Sequence, residues 1–328
     1  METKKLSLSG SSGIVSKYSY IVVFLIIFAV YAATSSSLTW SGVMNIFRHS
    51  AIIGIIALGM GLICLTGEID LSVGSMLAMV SGFSVVIYNI TGSIFAAFLF
   101  AVAFGGFCGL INGILVGGAE MPAFIVTLAT MTMFQGISFT ISESKSFFNF
   151  DEAFVNIGQG YLGPISFPII FAIIIAVVIH FILEMTCFGR FIYAAGGNPE
   201  AARLAGINTR RIRVIVFALG GILFAISAVI LTSRGGSANS TIGPGTEFDA
   251  ITACVLGGVS FIGGEGKVKG VVIGCLILGV LSNGMQLIGL GIYVQYIVKG
   301  IILMLSIGYD TYQKQAKVKK VTSAKAAA

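Results

Sequence analysis

Charged side chains are scarce in this chain. Asp, Glu, Lys and Arg together make up 10% of its 328 residues, whereas 56% of the residues are hydrophobic and the mean hydropathy is +1.01. A water-soluble protein of this size could not cover its surface with so few charges. The scarcity argues against an ordinary soluble domain and indicates a protein that lies in the lipid bilayer.

Residues with metal-binding or catalytic chemistry are also few. The chain has two histidines, His49 and His180, which are far apart in sequence. Its five cysteines form no CxxC pair and lie in or beside apolar segments, so they are interpreted as small buried hydrophobic residues. We therefore expect no catalytic residue, no metal site and no cofactor on this chain.

A glycine-rich stretch at residues 257–270 superficially resembles a phosphate-binding loop. The GxxxxGK[ST] signature would need Gly where Phe261 stands and Ser or Thr where Val268 stands. Neither position matches the signature, so the chain has no recognisable ATP site and any ATP dependence must come from a partner subunit.

Long apolar segments dominate the chain. There are ten of them, and several approach the roughly 20 residues that cross about 30 Å of hydrocarbon, whereas the first and eighth are short enough to be marginal or broken. They predict an all-α, polytopic bundle of about ten transmembrane helices. The segments are residues 18–33, 47–66, 71–88, 93–117, 122–141, 165–183, 212–232, 248–262, 268–288 and 292–307.

The basic residues indicate an orientation. With the N-terminus inside the cell, 15 of the 19 Lys and Arg residues fall on cytoplasmic segments. This predicts a cytoplasmic N-tail (1–17), a transmembrane domain (18–309) and a basic cytoplasmic C-tail (310–328) in the inner or plasma membrane. The net charge of +6 has the same origin and does not indicate nucleic acid as a partner. Because the first apolar segment has basic flanks, its alternative interpretation is a signal peptide rather than a membrane span.

The largest polar segment inside the transmembrane domain is residues 189–213, on the cytoplasmic side by the same count. Asn198 suits a helix cap, Pro199 suits the first turn, and Gly206 suits the end of a helix. The pattern predicts a helix of about two turns outside the membrane. Composition alone allows either a solvated turn or a docking element for a partner.

Several motifs carry a family resemblance. The EAAxxxG arrangement at residues 200–206 resembles the coupling-helix motif of ABC importer permeases, and spans two to ten resemble the ribose-type monosaccharide permeases. Glu68 is a departure, because that family commonly has Gly or Ser there. The runs that carry the resemblance are LTGEIDLSVGS (65–75), PAFIVTL (122–128), GRFIYAAGGNPEAARLAGIN (189–208) and GTEFDAITACVLGGVSFIGGEGKVKG (245–270).

The resemblance implies a permease subunit of an ATP-driven importer for a monosaccharide, ribose-like in its substrate class. It implies a second permease copy or a homologue, a cytoplasmic ABC ATPase that binds ATP and Mg, and an extracytoplasmic sugar-binding protein. By position, the residues that couple this chain to the ATPase would be Glu200, Ala201, Ala202, Arg203 and Gly206.

Polar residues inside the apolar segments are candidates for the translocation pathway. Uncharged amides and aromatic faces suit a neutral polyol, which presents hydroxyls and no formal charge. The alternative is that each amide only bonds a neighbouring helix. The candidates are Asn112, Phe134, Gln135, Asn283 and Gln286.

The acidic triplets at residues 68–70 and 247–249 resemble each other and indicate an internal sequence repeat at an offset of 179. By the orientation count the two triplets face opposite sides, as expected for an inverted five-plus-five repeat. Asp70 and Asp249 would then be equivalent helix caps or, less simply, gating residues. Inverted repeats also build ion-coupled secondary sugar transporters, which stay an alternative, as does an ABC permease for a nucleoside, a branched-chain amino acid or another small solute.

Overall fold

The computed structural model describes residues 39–326 except 144 and 150, so the predicted first segment (18–33) lies outside the described residues. This part of the chain is all-α apart from four strands of two residues each. The helices are α1 (Trp40–Leu65), α2 (Val73–Thr91), α3 (Ile94–Gly113) with a π-helical turn (Ile114–Gly118), α4 (Ala123–Ser142), α5 (Glu152–Gln159), α6 (Phe167–Met185), α7 (Cys187–Gly197), α8 (Pro199–Leu204), α9 (Thr209–Gly235), α10 (Thr246–Leu256), α11 (Val268–Leu287) and α12 (Ile292–Ala326).

The strands form two short antiparallel pairs. Strand β1 (Phe147–Phe148) pairs with β4 (Ser237–Ala238), and β2 (Tyr161–Leu162) pairs with β3 (Ile165–Ser166). Eight of the described helices are long and apolar enough to cross a membrane, namely α1, α2, α3 with its π-helical turn, α4, α6, α9, α11 and α12. The predicted polytopic helical bundle is therefore confirmed.

The eighth predicted segment, residues 248–262, is not a complete span. Helix α10 has 11 residues and ends at Leu256, and turns occupy the rest of the segment. Gly258, Gly263 and Gly264 adopt positive φ there, and a positive φ cannot continue a right-handed helix. The apolar composition predicted burial correctly, but glycine ends the helix after about three turns.

The most extensive helix packing joins α3 to α9 through glycine. A side-chain carbon at Gly109 would lie 3.1 Å from Cα of Gly221, and one at Gly113 would lie 2.7 Å from the carbonyl oxygen of Val214. The two backbones therefore approach as closely as glycine allows, which is a common way to join helices in lipid. This contact fixes α9, whose N-terminus follows α8.

The bundle has two distinct ends. At the first, which we call the α8 end, the last residue of α1, Leu65, accepts a hydrogen bond from Gly264 N (2.9 Å), and a side-chain carbon at Gly264 would touch Gly197, just before α8. At the second, which we call the Tyr161 end, the Arg48 guanidinium near the start of α1 lies 4.9 Å from the Tyr161 ring.

Helices α2 and α10 begin beside each other inside the bundle and run in opposite directions. A side-chain carbon at Gly74, in the first turn of α2, would lie 2.7 Å from the carbonyl oxygen of Gly243, just before α10. Helix α2 then runs to the Tyr161 end, where Tyr88 packs against Phe154 of α5 (ring centroids 5.0 Å apart). Helix α10 runs to the α8 end, where its following loop meets Leu65. Two discontinuous helices of opposite direction are the arrangement of an inverted repeat.

The register of the predicted repeat is wrong. Asp70 Oδ1 accepts from the N–H (2.8 Å) and hydroxyl (2.6 Å) of Ser72, and Asn239 Oδ1 accepts from the N–H (3.0 Å) and hydroxyl (2.8 Å) of Thr241. These matching turns precede Gly74 and Gly243, so DxSxG and NxTxG are equivalent at an offset of 169 rather than 179. The sequence comparison paired the two triplets because both contain Glu and Asp. In the structure, the equivalent residues are those whose side chains make the same hydrogen bonds.

Candidate functional site

A polar cavity of about 660 Å³ lies in the half of the bundle toward the Tyr161 end. The first halves of α1 and α12, the ends of α9 and α11, and the segment that leads into α10 form its walls. Its polar lining residues are Asn45, His49, Arg234, Thr241, Thr246, Asp249, Ser282, Asn283, Gln286, Gln295, Tyr296 and Lys299. Its volume falls within the range of about 300–1,000 Å³ that is typical of small-molecule sites.

One ion pair stands in the cavity wall between α10 and α12. Lys299 Nζ lies 2.8 Å from Asp249 Oδ2, and each side chain is 15% exposed. Lys299 is a charge inside the last predicted span, where an uncompensated ammonium would be costly, so the pair explains how the bundle accommodates it. The same contact holds α12 against α10.

Asp249 does not cap α10. The cap position is Gly245, and Asp249 lies in the first turn with its carboxylate directed to Lys299. The carboxylate that does accept from the start of the helix is that of Glu247, whose two oxygens each lie 3.1 Å from Gly245 N. Asp70 holds Ser72, the cap residue of α2, so the expected capping equivalence with Asp249 is wrong. A gating role for either aspartate stays a prediction.

The cavity contains two of the five predicted pathway candidates, Asn283 and Gln286 of α11. Beside them, Ser282 Oγ is buried and makes no hydrogen bond within the described part of the chain. Across the cavity, Gln295 Nε2 donates to the carbonyl oxygen of Leu290 (3.0 Å), which leaves its amide oxygen free to accept. The cavity thus combines amide and hydroxyl groups with a paired carboxylate and ammonium.

Helix α8 lies at the opposite end of the molecule and matches its sequence prediction. Asn198 Oδ1 caps it by accepting from Ala201 N (3.0 Å), Pro199 occupies its first turn, and Gly206 has φ +84 just beyond its end. Glu200 and Ala201 are exposed, whereas Ala202 faces the bundle. The sequence analysis missed Leu204, whose side chain is 91% exposed on this short polar helix.

Comparison with known proteins assigns the chain to a family. Residues 42–307 match the family described as the branched-chain amino acid transport system / permease component. The chain belongs to this permease family. No solved structure matches it.

The permease is similar to several curated sugar permeases. It is 37% identical over 303 residues to the ribose import permease RbsC of Haemophilus influenzae, covering 91% of this chain and 94% of the relative. It is 38% identical to RbsC of Bacillus subtilis strain 168, covering 89% and 91%. It is 34% identical to the L-arabinose ABC transporter permease AraH of Azospirillum brasilense, covering 93% and 90%.

The other three pathway candidates of the permease lie outside the cavity. Asn112 is fully buried and donates from Nδ2 to Ser72 Oγ (2.9 Å), and Phe134 is 5% exposed. Gln135 accepts from Ser75 Oγ (3.2 Å) and donates to the carbonyl oxygen of Ser240 (2.8 Å). Both amides therefore join neighbouring elements, as the alternative interpretation expected.

Arg203 of the permease is engaged within the chain. Its guanidinium donates to Glu120 Oε1 (3.1 Å) and to Thr209 Oγ1 (3.0 Å), although the sequence analysis expected it to be available to a partner. Glu120 comes from the loop before α4, which no local pattern connects with α8. The contact arises from the tertiary packing of α3 on α9.

The sequence analysis also missed several cavity residues. His49, Arg234, Tyr296 and Lys299 were not among its pathway candidates, although all four line the cavity. A charge inside an apolar segment was the available signal for Lys299. The described residues contain no group of three or more His, Cys, Asp and Glu side chains that could hold a metal ion.

Proposed function

We propose that this permease carries a monosaccharide through the polar cavity, driven by an ATPase subunit that docks on α8. The cavity is the observation that carries the proposal. Its amides, its carboxylate and its tyrosine are groups that hydrogen-bond or pack against sugar rings, and it faces away from the ATPase-docking end. A transport route needs this arrangement if the sugar enters on one side of the membrane and the ATPase acts on the other.

The lining chemistry and the relatives favour a sugar over an amino acid. The relatives are named for ribose and L-arabinose, whereas the family description names branched-chain amino acids. A branched aliphatic side chain would need an apolar surface, and the branched aliphatic side chains that line this cavity are three, Ile242, Leu290 and Ile292, beside twelve polar residues. A ribose-like polyol can use the polar groups on every side.

The α8 end supports ATPase docking. Glu200 and Leu204 project from a capped helix, so a groove on a partner could receive the leucine while contacting the carboxylate. Under this proposal the α8 end is cytoplasmic, as are both chain termini, in the inner or plasma membrane. ATP and Mg²⁺ bind the partner ATPase and not this chain.

Two further partners complete the proposed importer. A sugar-binding protein would dock at the Tyr161 end, around residues 142–164 and 233–248. A second permease copy or a homologue would pack along α12, which forms one wall of the cavity and whose membrane window has no buried residue. The second permease would enclose the cavity along α12, and the binding protein would enclose it at the Tyr161 end.

Co-purification tests the docking site. The permease is expressed with its ATPase, and Glu200→Lys and Leu204→Asp are each expected to release most of the ATPase from the purified complex. Glu265→Lys is the matched control, because Glu265 is an exposed glutamate at the same end that makes no ion pair within the described residues. Full retention of the ATPase by both α8 variants would overturn the docking proposal.

Transport by the reconstituted complex tests the energy source and the cargo. Sugar-loaded binding protein should stimulate ATP hydrolysis in proteoliposomes that have no ion gradient. Uptake that collapses with an ion gradient while ATP remains would instead support a secondary carrier. Faster uptake of leucine or a nucleoside than of ribose or arabinose would overturn the sugar assignment.

A further inference from the structure

Two glutamates and three arginines form a charged cluster at the α8 end, which we call the acidic clamp. Glu120 receives a bidentate contact from Arg210 (Nε to Oε1, 2.8 Å; Nη2 to Oε2, 2.7 Å) and a third bond from Arg203 (3.1 Å). Glu68 Oε1 lies 3.2 Å from Arg213 Nε. The arginines all belong to α8 or the first turns of α9, whereas the glutamates come from two other loops.

Glu120 connects α8 to α4. Arg203 lies on α8 and Arg210 on the first turn of α9, so one carboxylate holds the segments on both sides of the α8–α9 turn. Glu120 itself stands two residues before the cap of α4 and has φ +56, a left-handed conformation that costs a non-glycine residue free energy. The bidentate arginine contact offsets that cost, and the Arg210 guanidinium lowers the pKa of Glu120, which therefore stays ionised.

Glu68 connects the start of α9 to α2. Its side chain is 17% exposed and that of Arg213 is 16% exposed, so water screens this pair less than the pair at Glu120. Two residues after Glu68, Asp70 fixes Ser72, the cap of α2. The first turn of α2 then meets Gly243, which directly precedes the cavity residues Pro244 and Gly245.

The clamp therefore offers a continuous physical connection from α8 to the cavity. We propose that Glu120 and Glu68 are positioning residues through which a displacement of α8 reaches α4 and α2 and reshapes the cavity during transport. The proposal rests on the docking of the ATPase at α8. Two alternatives are that the clamp only holds α8 in shape for docking, or that it only stabilises the fold.

The test uses the complete importer, with ATPase and binding protein, reconstituted in liposomes. Glu120→Gln and Glu68→Gln keep the side-chain shape and remove the charge, and Glu265→Gln makes the same change at an exposed glutamate of the same end. Four quantities are measured: ATPase co-purification, basal ATP hydrolysis, its stimulation by sugar-loaded binding protein, and the number of sugars transported per ATP.

We expect Glu120→Gln to keep ATPase association and basal hydrolysis while sugar transport per ATP falls at least about fivefold, a typical allosteric coupling factor. Glu68→Gln should have the same pattern with a smaller loss, and Glu265→Gln should match the wild type. The charge-swapped E120R/R210E variant should recover part of the coupling, because it restores one ion pair with opposite polarity.

Two results would overturn the proposal. Wild-type transport per ATP in Glu120→Gln would show that the clamp does not transmit motion. A loss of ATPase association as large as the loss of transport would show that the clamp serves docking alone. If Glu200→Lys and Leu204→Asp both fail to release the ATPase, the docking proposal is wrong, whatever Glu120→Gln does, so the two failures are distinguishable.

Discussion

Two clusters of polar side chains lie inside the bundle and use their hydrogen-bonding groups differently. At the start of α2, Asn112, Asp70 and Ser72 bond one another in a fully buried group. Beside the start of α10, Asp249 and Lys299 bond each other at the edge of a cavity that several amides share. The first cluster is enclosed by protein, and the second lines a cavity.

The comparison shows what distinguishes packing from transport in this permease. Both clusters place amides and carboxylates in apolar surroundings, so residue type does not separate them. Their positions near the equivalent turns before Gly74 and Gly243 do not separate them either. What differs is whether the side chains line a cavity, and substitutions can test that difference directly.

The largest expected effect comes from removing Lys299. Lys299→Leu leaves the Asp249 carboxylate largely buried without its partner, and breaking one side of such a pair costs about 3–5 kcal/mol. We expect a marked fall in the yield and in the thermal unfolding temperature of the detergent-solubilised permease.

The double variant D249N/K299Q separates stability from transport. It replaces the ion pair with two amides that can bond each other, so most of the stability should return. Stable protein with little uptake would assign Asp249 a role in sugar contact or gating, whereas wild-type uptake would leave it a structural one. A Lys299→Leu permease as stable as the wild type would contradict the account of the pair.

The next effect in size separates the two clusters by one matched substitution. Asn112→Leu removes the donor to Ser72 and leaves buried polar groups without a partner, which costs about 1–3 kcal/mol. Uptake per folded molecule should not change. Asn283→Leu, in the cavity, should lower uptake per folded molecule. The comparison fails if both variants lose the same property.

The sequence predicted the elements of the fold better than their partners. Hydropathy located eight spans in the described residues, and Asn198, Pro199 and Gly206 located α8, because these signals are local. The contact of Lys299 with Asp249 joins residues 50 positions apart and depends on how α12 packs on α10. Hydropathy contains no information about that packing.

The internal repeat and the candidate site likewise depend on tertiary structure that the sequence did not predict. The offset of 179 was predicted from identical residues in the two acidic triplets. The equivalence of the two turns at an offset of 169 pairs Asp with Asn and Ser with Thr. Those pairs share hydrogen-bonding chemistry and not identity, so only the geometry of the two turns revealed them. Asn283 and Asn112 likewise became distinguishable only when the cavity was located.

A smaller effect is expected from Gln286, which is exposed in the cavity wall. Gln286→Leu removes one neutral hydrogen-bonding group, worth about 1 kcal/mol, so the uptake rate should fall about fivefold at normal abundance. The neighbouring Leu287→Ala is the control, because Leu287 is also exposed but does not line the cavity. Unchanged uptake by Gln286→Leu at normal abundance would remove this residue from the pathway.

The smallest expected effect is a pH dependence that distinguishes the two glutamates of the acidic clamp. Burial raises the pKa of Glu68 against the opposing charge of Arg213, whereas the Arg210 contact lowers the pKa of Glu120. As pH falls from neutral, Glu68 therefore takes up a proton first. Its protonation removes the desolvation cost of the charge but also its attraction to Arg213, while Glu120 stays paired.

If the Glu68 pair contributes to coupling, sugar transport per ATP should decline modestly, by less than about twofold, between neutral and mildly acidic pH. Glu68→Gln should remove this decline because it has no charge to lose, and Glu120→Gln should keep it at a lower overall level. Measuring the ratio of transport to hydrolysis cancels any pH effect on ATP hydrolysis alone. An identical pH profile in the wild type and Glu68→Gln would mean that the cavity responds to α8 without help from Glu68, which would leave Glu120 as the one clamp glutamate that transmits the motion.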